Sequence, residues 1–545
     1  TIGTLAAKLL LSGPVIKNKI GLNIGLRTSY VNQLTDLAHL VSRSVSNRNR
    51  LHFFDFNAKI NYSINKKNEV LLSTYLGGDN ILLNKVVNMK WGNDFISVGW
   101  KRKTDKTEYH QWIIYSNFGF NLEVSNGNQN FLWSNRVNEL QVKNQYDYSF
   151  SSNHHISTGI SLNYRTINPA KFTPATQNSA FRETSLETTY SLETAPFLSY
   201  HFMLERCDIN AGIRYSFFNA LGPYADEIYE NPKELILPKV KEVKKYSDFQ
   251  TSHFFHNPEP RLTIKYKVNH KTTVSGSYNR MAQYIHQIIT GVTPLPASFW
   301  QISSRYIKPS VGDNFAAGIS RSIFPTTDIT VEGFYKHRSN TLDFVDNADI
   351  VLNKDVITQI RSGNSWSYGT EILLTHSTKK LNLSLSYTWS KAERKINEVN
   401  NGKVYYSPFD RRHSVSFLGT YNLSAKWSIG ASWSYATGRP ITLPSGSYKF
   451  QQFIVNLITE RNGYRMPDYH RLDLSATYRP VSKRKWKSEW NFTIYNVYNR
   501  KNAFAVYGEP KFDANLEISN RFENNIVMLY LFTIVPGVSY TVTFK

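Results

Sequence analysis

The residues able to do chemistry are few and scattered. His253 and His256 flank Phe254-Phe255, and His154-His155 form a second pair. Imidazoles this close are the usual start of a metal site, but zinc also needs carboxylate or Cys partners at fixed spacing. Neither pair has them. Both read as solvent-facing or satisfied histidines, and no metal or cofactor is expected. A phosphate-cradling glycine loop, a nucleophile elbow and a helix bearing a His pair are all missing from the sequence. Cys207 is the only cysteine, which rules out an intramolecular disulfide and a cysteine-cluster zinc site. Asp410-Arg411-Arg412-His413 could bind an anion or pair internally. Internal pairing of Asp410 with an Arg is the reading taken. No catalytic residue emerges, and an enzyme is not expected.

What the chain does carry is strict alternation. Residues 427–435 run Trp, Ser, Ile, Gly, Ala, Ser, Trp, Ser, Tyr, with Trp427, Ile429, Ala431, Trp433 and Tyr435 on one face. Leu381, Leu383, Leu385, Tyr387 and Trp389 alternate with Asn382, Ser384, Ser386 and Thr388. The last residues set Val538, Tyr540, Val542 and Phe544 against Ser539, Thr541 and Thr543. A period of two is that of a strand with one apolar and one polar face.

Composition then decides which environment those strands occupy. Apolar residues make up 41% of the 545 positions and the mean hydropathy is −0.41. No stretch approaches the roughly 20 apolar residues of a membrane helix; the densest run, 526–532, is seven long. Aromatics reach 14%, too rich for a disordered chain. Many strands exceed the usual 5–6 residues of globular sheets, and their apolar faces end in Trp or Tyr, as a membrane-interface girdle requires. Ten short polar turns are read at 13–19, 65–68, 103–107, 151–154, 205–208, 269–271, 324–328, 377–380, 424–426 and 481–485. Longer loops intervene, among them 33–50, 169–186, 220–258, 284–312, 340–363 and 438–466. Short turns on one side and long loops on the other are the topology of an outer-membrane β-barrel. The fold class is therefore all-β, an antiparallel transmembrane barrel with short periplasmic turns and long extracellular loops. The count is about 21 strands; an odd number is unusual in a bacterial barrel, so a first strand is expected upstream of Thr1.

Several segments resemble one family, the TonB-dependent outer-membrane receptors of the carboxypeptidase-regulatory-like/plug type. Leu9-Leu10-Leu11-Ser12-Gly13-Pro14-Val15 with Lys17-Asn18-Lys19 is similar to the family's first periplasmic hairpin. Tyr368-Gly369-Thr370-Glu371 and Tyr387-Thr388-Trp389-Ser390 resemble its late strand pair. Asp410-Arg411-Arg412-His413 and Thr437-Gly438-Arg439-Pro440 resemble the stretch after that pair. Tyr495-Asn496-Val497-Tyr498-Asn499-Arg500 is similar to the penultimate strand, and Ile534-Val535-Pro536 with Phe544 to the closing one. The resemblance covers essentially residues 1–545 and implies a 22-stranded barrel in the outer membrane of a Gram-negative bacterium. It also implies a signal peptide, a regulatory-like domain, a plug and a first strand upstream. Val538, Tyr540, Val542 and Phe544 would then be the signal read by the barrel-assembly machinery.

A barrel this wide encloses a lumen that needs plugging. The function expected is TonB-energised uptake of a scarce ligand, captured by the long loops. Rigid aromatics give large contact area for few frozen rotamers, so Phe254, Phe255, Tyr284, His286 and Trp300, with Arg412 and Arg439, are the candidate ligand contacts. The bland alternative is that they pack loop on loop or meet lipid head groups. The net charge of +23 has a bland reading too, Lys and Arg pairing with lipid phosphates at the interfaces. A basic lumen drawing anionic ligands inward is the second reading; nucleic acid is not expected as a partner. The partners implied are outer-membrane lipid and lipopolysaccharide, the plug and TonB, and the assembly machinery, and the resemblance admits a surface lipoprotein. The competing class is a non-transporting barrel that serves as scaffold in an outer-membrane complex.

Overall fold

Period-two alternation becomes one antiparallel sheet that closes on itself. The computed structural model describes all residues except 42–48, 127–128, 178, 180–181, 237, 290–297, 349–352, 451–452, 482–484, 511–523 and 545. Twenty-one long strands, from Ala6–Ile16 to Val535–Phe544, each pair with the next along the chain. Val535–Phe544 is bounded by Trp486–Tyr495 on one side and by Ile2–Gly3 on the other. Ile2 faces both Tyr540 and Ala7, so Ile2–Gly3 occupies the place of the twenty-second strand and shuts the seam. Side chains support the closure: Thr4 Oγ1 accepts the Val538 N–H at 2.8 Å, and the Thr1 and Thr541 hydroxyls meet at 2.9 Å. The two-residue strands Thr184–Ser185 and Tyr405–Tyr406 add to the edge of the wall.

A turn occurs at each of the ten places the sequence gives, although the first, read at 13–19, is only 17–19 because the strand runs on to Ile16, and residues 482–484 of the last lie outside the described residues. The turn between Arg50–Asn65 and Asn68–Leu83 shows why polar residues sit there. Asn65 Oδ1 accepts the backbone N–H groups of Lys67 and Asn68 at 2.9 and 3.0 Å, an Asx turn in which the side chain satisfies the reversing backbone.

Four of the six long loops, those read at 169–186, 220–258, 284–312 and 340–363, are shorter than the sequence reading made them. The strand read as starting after residue 258 begins at Thr251, and His154–Pro174 reaches into the stretch read as loop from 169. Residues 33–50 hold much of the helix Val31–Val41. Beyond the bilayer the outer face has no need to be apolar, so alternation fades while the hydrogen-bond ladder continues. Several loops carry hairpins of their own: Tyr224–Tyr229 with Val240–Tyr246, Ile285–Ile289 with Ser298–Ile302, and Ala505–Pro510 with Asn524–Leu529.

The two faces of the wall differ as a membrane requires. Leu198, Ile213, Leu262, Phe315, Ile429 and Leu474 point outward and are exposed. In one register row Trp427, Tyr478, Trp490 and Tyr540 stand side by side at the short-turn end, with ring centroids 4.8 Å apart for Trp427–Tyr478 and 4.6 Å for Trp490–Tyr540. Eight residues higher, Tyr387, Val415, Tyr435 and His470 form another row. That separation is roughly 26 Å along the tilted strands, the scale of the apolar band of an outer-membrane barrel.

Candidate functional site

Three groups of polar side chains gather inside the barrel and under its loops. On the inner wall Arg165 Nη1 donates to Glu193 at 2.7 Å, and Arg214 bridges Glu193 at 2.5 Å and Glu259 at 2.6 Å. Arg165 also meets Glu139. Alternating signs across five strands make a charge ladder, of which Arg165, Glu193 and Arg214 line a cavity of about 620 Å³ together with Lys143 and Arg261. Every charge of the ladder has a partner, and Glu259 is only 2% exposed.

Higher up, the hairpin Ile285–Ile289 with Ser298–Ile302 is fastened to the wall by Tyr284. This ring stacks on Phe218 at 4.7 Å, and its hydroxyl meets Ser216 Oγ at 2.7 Å and accepts from Asn257 Nδ2 at 2.8 Å. Phe255 and Trp300 pack against the same buried cluster with Ile167, Ala220 and Ile302. The hairpin carries His286, 5% exposed, to the edge of a cavity of about 530 Å³ that also includes Arg338, Asp343, Arg394, Phe409 and Arg461. A second cavity of about 450 Å³ shares Arg338 and Arg394 with it.

Charge in this upper cavity is unbalanced. Asp343 accepts from Arg461 at 2.8 Å, Arg394 at 3.2 Å and the Tyr405 hydroxyl at 2.9 Å. Asp346 lies 3.8 Å from Arg461. Arg338 has no hydrogen-bond or ion-pair partner among the described residues, and the charge nearest in effect is Arg394. His286 feels that surplus. Burial first, and then the Arg338 charge, hold its imidazole down at about 4, so it is neutral at pH 7.

A third group surrounds Asp410, which is 1% exposed. It pairs with Arg465, lies 3.9 Å from Arg412 and accepts the Ala392 N–H at 2.7 Å. The internal pairing expected for Asp410 is present, chiefly with an Arg from outside its own motif. The Tyr406 ring has Arg465 at 4.9 Å and Arg412 and Lys391 at 5.9 Å. Arg439 is half-buried, donates to Met466 Sδ at 3.2 Å, and is held below its ordinary pKa by burial and by Arg411.

The candidate contacts therefore separate. Phe255, Tyr284 and Trp300 build the core that holds the hairpin, and His286 alone of the aromatic set borders the upper cavity. Arg412 and Arg439 belong with the Asp410 region. Phe254 pairs with Asn219 and points outward, 52% exposed, in a row with Phe217 and His256. Its partners place it against the surroundings of the barrel. His253 and His256, three residues apart on one strand, face opposite sides, so they cannot share a metal. Among the described residues no group of three or more His, Cys, Asp or Glu could hold one. Arg338, Arg394 and Arg461 were missed. The signal for Arg338 was parity: Phe334, Lys336 and Arg338 continue the inward face of Thr327–Phe344 past the bilayer. In the closing strand Val538, Tyr540, Val542 and Phe544 pair with Phe492, Trp490, Ser488 and Trp486.

The family model "TonB dependent receptor-like, beta-barrel" matches residues 29–499. Among solved structures, the siderophore receptor PiuA of Acinetobacter baumannii is similar at a TM-score of 0.65 and 13% identity, over 99% of this chain and 81% of that one. The ferric-catecholate import receptor Fiu of E. coli K12 gives 0.64 and 11%, over 99% and 80%. The ferric yersiniabactin uptake receptor FyuA of Yersinia pestis gives 0.62 and 12%, over 99% and 78%. No curated protein matches by sequence.

Proposed function

The chain belongs to the TonB-dependent receptor family as its outer-membrane β-barrel, and from that premise we propose that it captures an anionic ligand in the cavity between His286, Arg338 and Arg394. Uptake through the lumen then occurs when TonB acts on a plug domain held inside the barrel. The observation that carries this reading is Arg338, which has no hydrogen-bond or ion-pair partner among the described residues, whereas Arg165 and Arg214 lower on the wall are each held by carboxylates. A guanidinium without a carboxylate is poised for a bidentate, charge-assisted contact with a carboxylate, phosphate or deprotonated chelator. Of the net charge of +23, the thirteen charges that lie outside the ten short turns favour the approach of such ligands from a distance. The ferric-siderophore receptors among its structural neighbours make an anionic metal chelate the first class to screen. Outer-membrane lipid and lipopolysaccharide surround the aromatic girdles in this reading, and Val538–Phe544 carries the assembly signal.

The test is cryo-EM of the full-length protein purified from outer membranes, alongside chelate uptake with and without TonB. A plugged lumen and TonB-dependent uptake uphold the reading. An empty lumen that conducts ions in planar bilayers overturns it, as does uptake indifferent to TonB.

A further inference from the structure

On the outer wall, away from the lumen, the apolar band is interrupted by a groove of about 510 Å³. Register explains it. Leu383, Gly419, Ala431, Leu474 and Ile494 form one outward row across five strands, and Leu381, Tyr421, Ile429, Ala476 and Phe492 the row beneath. Gly419, Ala431 and Ala476 are the floor, where neighbouring rows carry large side chains. Leu383 and Phe417 lean over Gly419 so closely that an added Cβ would lie 3.1 Å from each. The groove starts one row above the Trp427–Tyr478–Trp490 girdle, in the half of the bilayer nearer the short turns.

Those turns are where the positive charge concentrates. The ten short turns hold fourteen Lys or Arg against four acids, ten of the twenty-three net charges. Directly under the groove, Lys379 and Lys380 precede Leu381, and Lys426 precedes Trp427. Backbone bonds set the turns side by side: Asn422 N–H donates to Lys380 O and Arg479 N–H to Lys426 O, both at 2.8 Å. The three ammonium groups are exposed and have no acidic partner among the described residues, whereas Arg479 is taken by Glu489 at 2.7 Å.

We infer that this groove and its lysines bind one anionic phospholipid of the periplasmic leaflet, an acyl chain lying on Gly419, Ala431 and Ala476 and the phosphate on Lys379, Lys380 and Lys426. Apolar packing alone would not select a lipid, because the chain leaves one hydrocarbon environment for another and gains only closer contact. The lysines supply the selectivity. A cation near an anionic membrane surface is worth roughly fivefold in binding. The site is independent of the uptake reading, which concerns the lumen and the loops.

Full-length protein in mild detergent, titrated with phosphatidylglycerol and with phosphatidylcholine and read by native mass spectrometry, tests it. Wild-type protein is expected to retain one phosphatidylglycerol at least about tenfold more tightly than phosphatidylcholine. K379Q/K380Q/K426Q should lower phosphatidylglycerol to the phosphatidylcholine level, and A431F should weaken both lipids. K66Q/K67Q, at a basic turn remote from the groove, should change neither. Heat-dependent gel mobility verifies that each variant is a folded barrel. Equal retention of the two lipids by wild-type protein, wild-type binding by A431F, or an equal loss in K66Q/K67Q overturns the site. So does a dimer that A431F abolishes, because the groove would then belong to a second copy of the chain.

Discussion

Arg214 and Arg338 both project into the lumen, yet one is locked and the other is free. Arg214, on Cys207–Leu221, sits between Glu193 and Glu259. Arg338, near the end of Thr327–Phe344, shares its cavity with Arg394 and Arg461, whose charge is already directed at Asp343. The ladder of Glu139, Arg165, Glu193, Arg214 and Glu259 pairs each of its inward charges, because an unpaired one in a partly dry interior is costly. A surface that must recognise a ligand leaves a charge open. The same side chain is structure at one height and recognition at another.

The sharpest way to break that contrast is to remove each guanidinium in turn. Arg214→Ala leaves Glu193 and Glu259 without their shared partner, and a buried pair broken on one side costs about 3–5 kcal/mol. The expected outcome is a clear fall in barrel unfolding temperature, read by the heat-dependent gel shift. Arg338→Ala should move stability by less than about 0.5 kcal/mol, as substitutions away from paired networks do. Equal destabilisation by the two would erase the distinction.

Next in size is a pH effect specific to the upper region. His286 is neutral when its hairpin is closed and titrates at about 4, against an ordinary value of 6.5. The opened hairpin therefore takes up a proton that the closed one refuses. Closure is at full strength above pH 6.5 and weakens as pH falls toward 4, by up to about 3 kcal/mol. Amide exchange in Ile285–Ile289 should accelerate across that window, while the strands bearing Arg165 and Arg214 stay protected. In His286→Gln the acid step should vanish.

How much of this was legible in the sequence depends on how local each feature is. The face of each strand, the ten turns and the girdle residues Trp427, Tyr435 and Tyr478 depend on near neighbours and a period of two, so they could be read directly. The Asp343–Arg394–Arg461 convergence could not. It joins residues 51 and 118 positions apart, and only barrel register and the loop hairpins bring them together. Phe254 and Phe255 were legible in principle and were not separated. Treating 220–258 as loop hid the strand parity that sends the first outward and the second into the hairpin's core.

Ligand capture is the third test. If an anionic chelate docks on Arg338, losing one charge-assisted contact worth about 1.5–3 kcal/mol should weaken its binding by roughly tenfold to a hundredfold. Arg338→Ala, measured by calorimetry on the full-length protein, should show that loss, and Arg338→Lys should recover only part of it because the bidentate fork is gone. Arg214→Ala barrels that remain folded should bind almost normally. A ligand insensitive to Arg338 would mean that recognition lies elsewhere in the loops.

The smallest effect expected separates adjacent rings. Among the described residues Phe254 has ring contacts with Phe217, stacked at 6.4 Å, and His256, tilted at 5.9 Å, at the outer surface. Phe254→Ala should therefore cost no more than about 1 kcal/mol and leave ligand binding unchanged. Phe255 supports the cluster of Ile167, Phe218 and Tyr284, so Phe255→Ala should cost about 3 kcal/mol locally. It should also loosen the hairpin that carries His286, weakening capture without touching the ligand. Reversed rankings would place the recognition surface on the outside of the loops, because a one-residue shift along a strand exchanges its two faces.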